Sequence, residues 1–517
     1  MERIGIKTHV AATPEKIAFI ESDGTTLTYH QLNLRINKLA NAFKSLGIGS
    51  GDHVSVLLFN SGRILEVMNA LGKIGAVPVG ISYQFKEEEL AYVVNHSDSK
   101  AIVFSDKHSE LIASSKDRFH SIVRGGFIML NSTKGQSFPG VNDFESLIEA
   151  ADGTEPQGGQ GHGISSSLIY TSGTTGRPKG VLKGYSKRLN VLLTVSKFFG
   201  VHGDDVELIT CPLYHAAPYA SAQMAVLYGN TVVFMEHFDP LETLKAIERY
   251  SVTSCFMVPT QLNRIMKLPV EELLPLNLSS LKRIVVSGAP FPYPLKRKCM
   301  DFFGEIFYEY LGSTETSLIS LLCPSEQIEK EGSCGRPPPG VDILILDQNR
   351  QPVPAGEVGE IFVKSDAILD CYYKNPEATE RGFYNGYFSV ADVGRLDEEG
   401  FLYITDRKVD MVISGGVNIY PVEIEQCLFQ HPKICDAAVI GVPDEVWGEK
   451  LVAFVKLNEG EKMTAEELQA YIKQNLAGFK CPKEVYFVKE LPYNAIGKLL
   501  KRDLKKKYIE GGILRNQ

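Results

Sequence analysis

The chain has 517 residues, 44% of them hydrophobic and 22% charged, with a formal net charge of −8. This is the composition of a globular protein long enough for at least two domains, and it offers no basic face of the size nucleic acid requires. Nine cysteines, an odd number with no C-x-x-C pair, speak against a disulfide framework or zinc site and for reduced thiols, which makes the cytoplasm the expected compartment. The N-terminal "MERIGIKTHVAATPEKIAFI" lacks the apolar core of a signal peptide. No apolar run reaches membrane-spanning length, and the final "RNQ" is no peroxisomal address.

In chain order, Leu32, Ile36, Leu39, Ala40, Phe43 and Leu46 recur at three- and four-residue spacing and predict a helix that Gly47 ends. Short β-branched runs follow, "HVSVLLFN", "GAVPVGI" and "KAIVFSD", separated by helical stretches such as "GRILEVMNALGKIG". That alternation predicts an α/β sheet. After the Gly-rich loop "PQGGQGHGISSS", "SLIYT" reads as a buried strand that delivers "YTSGTTGRPKG", Tyr170 to Gly180, at its C-terminal end, where α/β sheets bind ligands. Here Gly173 and Gly176 let backbone N–H groups turn inward, Thr171, Ser172, Thr174 and Thr175 add hydroxyl donors, and Arg177 and Lys179 add charge. Such a loop suits phosphates. It is not a P-loop, because Lys179 stands between Pro178 and Gly180 and no G-K-[ST] leads into a helix.

"RIVVSGAP" and "EIFYEYLGSTET" repeat the pattern of a strand running into small polar residues. Beyond about residue 406 the texture changes, and "CDAAVIGVP", "LVAFVKL" and "EVYFVKELP" predict strands around one helix, whose capping box is Thr464 with Glu467. The expected layout is a large N-terminal domain of α/β-layered sheets over 1–406, a hinge at 407–409 and a small α+β domain over 410–517. The basic run "KRDLKKKY" reads as a solvated helix face.

Four further stretches sharpen the phosphate reading: "YLGSTET", in which Thr314 can donate to a phosphate and Glu315 is a hard oxygen ligand suited to Mg²⁺; Asp392 in "SVADVG"; Arg407 in "YITDRKVD"; and Lys498 in "LPYNAIGKLLKR". With "CPLYHAAP", "GEVGEIFVK", "GGVNIYPVEIE" and "VPDEVWGEKLVAFV", their order and wording closely resemble the adenylate-forming family of acyl- and aryl-CoA synthetases, luciferases and peptide-synthetase adenylation domains. The resemblance covers nearly the whole chain.

It implies that Thr171, Ser172, Gly173, Thr174, Thr175, Gly176 and Lys179 hold the β- and γ-phosphates of ATP, and that a carboxylic acid is joined to AMP with loss of pyrophosphate. Gly288, Ala289 and Pro290 would line the adenine. Leu311, Gly312, Ser313 and Thr314 would complete the nucleotide site, with Mg²⁺ on Glu315. Asp392 would accept from both ribose hydroxyls, Arg407 would brace the ribose, and Lys498 would arrive from the small domain at the α-phosphate. His215 would lie near the substrate carboxylate, giving Lys498, Thr314 and His215 as the catalytic set. Coenzyme A is the implied acceptor, with Gly415 and Gly416 framing its pantetheine tunnel and Lys480 and Lys483 near its nucleotide. Ala216, Ala217, Ala220 and Ala222 suggest a roomy apolar pocket for a fatty, alicyclic or aromatic acid.

Three positions depart from the family pattern. Leu311 stands where an aromatic usually stacks on adenine, Val409 where a Lys or Asp pivots the domains, and the family's "TGD" is "VAD" here. Tyr310 is one place too early to substitute for that aromatic and is expected on the opposite face of its strand. The alternatives are an adenylating enzyme that loads a carrier protein or an amine, a P-loop phosphotransferase, which the missing G-K-[ST] disfavours, and a non-catalytic nucleotide or acyl-AMP sensor.

Overall fold

The computed structural model describes residues 4–130, 138–157, 166–171, 178–273, 275–407, 410–414, 417–444, 447–493 and 499–510. The β-branched runs form two eight-stranded sheets. In the first, the strands Phe307–Ser313, Arg283–Val286, Ser254–Met257, Val206–Ile209, Thr231–Phe234 and Ile17–Ile20 run parallel, with antiparallel Ser317–Leu322 and Thr26–Thr28 at its edges. In the second, Ser167–Thr171, Val77–Gly80, His53–Leu57, Ser99–Ser105, Phe127–Leu130 and Val141–Asp143 are parallel, and Lys179–Lys183 and Cys371–Tyr372 extend one edge antiparallel.

A layer of helices joins the two sheets. Gly62–Ile74 is buried at every residue but Arg63, its polar Glu66, Asn69 and Lys73 being paired with Arg35, Gln223 and Glu155. The helix predicted from the Leu32 periodicity is Tyr29–Ser45, begun by a capping box of Thr28 and Gln31. With Tyr219 and Ala222 of the helix Ala216–Tyr228, these helices pack against Val54 and Val56 of the second sheet and Phe19, Val232 and Phe234 of the first. Each such buried side chain contributes about 1.5–3 kcal/mol, so one shared core fixes the two sheets to each other.

A third, antiparallel sheet of Asp342–Leu346, Gly359–Lys364, Tyr387–Leu396, Phe383–Tyr384 and Leu402–Arg407 abuts the first. The link is the segment 333–336: Cys334 and Gly335 pair with Leu402, and Arg336 pairs with Leu321. The opposite-face expectation for Tyr310 holds, because its ring meets Phe199 and Phe256 while Leu311 packs on the Ile319 and Ile345 cluster between the first and third sheets.

The fourth sheet begins at Val412 and contains Val412–Ser414, Val417–Ile419, Gly448–Leu457, Ile434–Asp444 and Glu484–Phe487. The sequence predicts two helices here, the capped one and the basic run, and the structure has three among the described residues: Pro421–Phe429, Ala465–Asn475 and Lys501–Ile509. Pro421 at the first helical position pre-sets the first of these, a signal masked by its short, partly polar sequence. The basic run is the third, held by its one buried residue Leu504 and by ties from Lys501 to Glu425, Lys505 to Glu449 and Tyr508 to Glu484. No described helix is long and apolar enough to cross a membrane.

Gly335 has φ 91 and lies so close to the first sheet that a Cβ would sit 2.0 Å from the Leu321 carbonyl. Gly335→Ala is therefore expected to destabilise the chain by more than about 3 kcal/mol, since neither backbone can yield. Thermal unfolding reads this directly, and an unchanged midpoint would contradict the close approach.

Candidate active site

The parallel strands of the first sheet all end on one edge. Val206–Ile209 leads to His215, Arg283–Val286 to Gly288, Ala289 and Pro290, and Phe307–Ser313 to Thr314 and Glu315. Val286 pairs with Glu309, so the Gly288 and Leu311 stretches leave neighbouring strands side by side. Strands Ser167–Thr171 and Lys179–Lys183 form a hairpin whose last pair is Thr171 with Lys179. Ser172, Gly173, Thr174, Thr175 and Gly176 lie between them, outside the described residues.

Thr314 and Glu315 sit on a three-residue loop between the paired Ser313 and Ser317. The strands come so close that a Cβ on Gly312 would lie 2.6 Å from the Ser317 carbonyl oxygen. The hydroxyls of Ser313 and Thr316 share a hydrogen bond of 2.9 Å, and Ser317 reverses the chain with φ 62. A left-handed residue closing a three-residue hairpin loop is a recurrent geometry.

The segment 367–373 joins this loop to the phosphate hairpin. Leu369 N–H donates to the Glu315 carbonyl (2.6 Å), Asp370 N–H to Leu182 (2.9 Å) and Tyr373 N–H to Gly180 (2.8 Å). The Tyr372 phenol donates to Glu315 Oε1 at 2.9 Å, while Lys179 Nζ lies 5.2 Å from the centre of the Tyr372 ring. Burial and the adjacent Glu315 carboxylate push the phenol well above its ordinary pKa, so it remains a donor. Asp370 takes an ion pair from Lys187 (2.6 Å) and a bond from the Gly184 N–H.

Side chains opposite one another in an antiparallel pair share a face, so Lys179, Val181 and Lys183 stand with Thr171, Ile169 and Ser167. Lys183 is 7% exposed. Its Nζ donates to Ser317 Oγ at 2.5 Å, and burial pulls its pKa down to about 7 despite the opposing pull of Glu315.

His215 is the N-cap residue of Ala216–Tyr228, its ring 4.2 Å from that of Tyr214. With Tyr214, Tyr219, Leu213, Ser167 and Ile169 it borders a cavity of about 10 Å³, at the lower limit for one water. The four alanines do not share one wall. Ala222 is fully buried in the core between the sheets, whereas Ala217 and Ala220 pack on the cluster around Tyr310, Phe256 and Leu192. The helix turns these positions to different sides, which spacing from Ala216 to Ala222 alone did not resolve.

Asp392 and Arg407 are direct register partners on neighbouring strands of the third sheet. Ala391 beside them has φ 59. Farther on, Lys480 is tied to Glu423 and lies 5.8 Å from the Phe479 ring, and Lys483 lies 5.8 Å from the ring of Trp447. Both rings are exposed, Phe479 by 54% and Trp447 by 49%. Gly415, Gly416, Val409 and Lys498 fall outside the described residues.

The structure thus brings Thr171, Lys179, Thr314 and Glu315 together, and it adds Tyr372, Asp370 and Lys183, which the sequence reading missed. A tyrosine in "CYYKNP" carries no signal of its own, and a lysine ending a strand reads as solvated. Among the described residues no group of three His, Cys, Asp or Glu could hold a metal. A lone carboxylate nonetheless fits Mg²⁺, which takes one or two and fills its shell with water and substrate phosphates.

The family described as AMP-binding enzyme matches residues 6–373, and the AMP-binding enzyme C-terminal domain matches 423–498. A feruloyl-CoA synthase of Amycolatopsis is 33% identical over 491 residues, covering 95% of each chain. A 2-succinylbenzoate–CoA ligase of Geobacillus kaustophilus is 33% identical over 503 residues, covering 97% of each. Among solved structures, the amide bond synthetase McbA from Marinactinospora thermotolerans superposes with a TM-score of 0.85 at 28% identity, over 97% of this chain and 99% of that one.

Tyr372→Phe removes only the phenolic oxygen. Hydrogen bonds to charged groups contribute about 1.5–3 kcal/mol, so denaturant or thermal unfolding should show a loss of that order. An unaltered midpoint would mean that Glu315 is not held by Tyr372.

Proposed function

Since this chain belongs to the AMP-binding enzyme family and is an AMP-forming acid–thiol ligase like its CoA-ligase relatives, we propose how its own residues divide that work. One observation carries the reading: the phosphate hairpin closed by Thr171 and Lys179 and the loop bearing Thr314 and Glu315 meet across Tyr372. A carboxylate attacking an α-phosphate brings two anions together, so oriented donors and positive charge must face the charge that develops. In the proposed arrangement Thr171 and Lys179 take the terminal phosphates, Thr314 donates to the α-phosphate, and Lys498 approaches from the C-terminal side. Glu315 would hold Mg²⁺, which neutralises phosphate charge when bound.

Gly288, Ala289, Pro290 and Leu311 would enclose the adenine, with Gly312 and Ser313 beside it, and Asp392 would take the ribose hydroxyls, its register partner Arg407 bracing them. His215, at the N-terminus of Ala216–Tyr228, would orient the acid carboxylate where a helix end favours an anion. The domain assignment of 1–406 and 410–517 about a hinge at 407–409 supplies the motion that exchanges Lys498 for the loop of Gly415 and Gly416.

For the acceptor we favour free coenzyme A. Exposed Trp447 and Phe479, each beside a lysine, suit a nucleotide that needs a stacking surface and cations for its phosphates. For the acid we favour one that carries an aromatic ring, because the names of the two relatives point to such acids; a fatty or other apolar acid is the alternative. The cavity at His215 must then widen on binding. The second reading, an amine as acceptor, draws on the likeness to the amide bond synthetase.

Two outcomes test this. Leu311→Tyr adds a ring worth roughly 0.5–1.5 kcal/mol of stacking, so the KM for ATP should fall, up to about tenfold; an unchanged or raised KM would place adenine elsewhere. Lys498→Ala should cut acid-dependent pyrophosphate release by about a thousandfold, since a unit charge near 4 Å at an effective dielectric of about 20 is worth roughly 4 kcal/mol. Given acyl-adenylate and CoA, the same variant should make thioester within a few-fold of the unaltered rate. Equal losses in both steps would refute domain alternation, and ADP as product would refute adenylation.

A further inference from the structure

Lys183 puts a basic group in a buried place. It ends the strand Lys179–Lys183, is 7% exposed and stands opposite Ser167, two pairs beyond Val181 on the same face. No carboxylate lies within ion-pair distance of its Nζ among the described residues, although Lys187 and Lys179 nearby have Asp370 and the Tyr372 ring. Burying an ammonium without a paired carboxylate is costly, so an aliphatic side chain would serve stability better.

What Lys183 touches is Ser317 Oγ, at 2.5 Å. Ser317 has φ 62, the left-handed position that closes a three-residue hairpin loop and that suits a residue with a Cβ less well than glycine, so a side-chain contact there steadies the turn. That reversal sets the direction in which Thr314 and Glu315 leave the strand. Tyr372 and Leu369 hold Glu315 from the segment 367–373. Lys183 reaches the same loop from the strand on which the phosphate hairpin hangs.

Resting on the assignment of Thr314 and Glu315 to the ATP site, we propose that Lys183 is a positioning residue: by holding Ser317 in its left-handed turn, it sets the placement of the Thr314 and Glu315 loop against the phosphate hairpin without touching substrate. A residue that acts this way is expected to matter to the rate of the adenylation step and little to ATP binding or to folding.

Lys183→Met keeps the length of the side chain and removes the charge. The expected result is a thermal midpoint unchanged or raised, kcat for acid-dependent pyrophosphate release lowered about ten- to hundredfold, and KM for ATP within about threefold. Ser317→Ala should reproduce the loss, and the double variant should be no worse than either single one, because both break the same contact. In the absence of any substrate, hydrogen exchange over 313–318 should quicken in Lys183→Met. A midpoint that falls in step with activity would mark Lys183 as structural and overturn the proposal, as would additive losses, an unchanged kcat or unaltered exchange. Failure of the unaltered protein to release pyrophosphate with any acid would instead refute the functional reading, and the exchange measurement would still decide whether Lys183 holds the loop.

Discussion

The tie between Glu315 and the segment 367–373 is the constraint on which the rest of the site depends. Two sheets with a shared helical core still leave their strand ends free to diverge, because the core lies behind the edge where ligands bind. The Leu369 amide and the Tyr372 phenol fasten the Glu315 loop, and the amides of Asp370 and Tyr373 fasten the same seven residues to the phosphate hairpin. A loop that must present hydroxyls and a carboxylate to phosphates thereby becomes part of a hydrogen-bonded scaffold rather than a free turn.

Backbone strain also lies beside proposed site residues. Ser317 and Ala391 both adopt left-handed backbone conformations without being glycine, at a cost of roughly 1–2 kcal/mol each. Ala391 is the position where the family pattern carries glycine, so the "VAD" departure is a change of backbone cost as well as of side chain, and the strand pairing of Asp392 with Arg407 shows that the β-geometry survives it. Leu311 is a change of a different kind. It keeps the backbone path and exchanges a ring for a smaller apolar group lying against Ile319 and Ile345.

Much of this was legible beforehand, for identifiable reasons. The strands Ser167–Thr171, Arg283–Val286 and Phe307–Ser313 announce themselves by short apolar runs ending in Gly, Ser and Thr, and ligand chemistry concentrates at such ends. The alternation along Phe307–Ser313 was enough to send Tyr310 and Leu311 to opposite faces. What could not be read is contact between residues far apart in the chain. Tyr372 with Glu315, and Lys183 with Ser317, are pairings made by sheet order, and neither residue type advertises its partner. The helix Pro421–Phe429 escaped because its nine residues are too few for a period to stand out.

The strand Cys371–Tyr372 has a further consequence, in the order in which the molecule can be built. It pairs with Leu182 and Val181, residues that leave the ribosome long before it does, so the sheet edge at Lys179–Lys183 stays open until residue 373 has been synthesised. Contacts of such long sequence separation form late, because the entropy of closing the intervening loop must be met before the pairing repays it. Until then the nascent chain presents an unpaired edge able to recruit a foreign strand. The earlier strands of the second sheet can assemble first, but the edge that carries the phosphate hairpin is closed only by this late, short strand, which makes it a point where folding yield and the shape of the site are decided together.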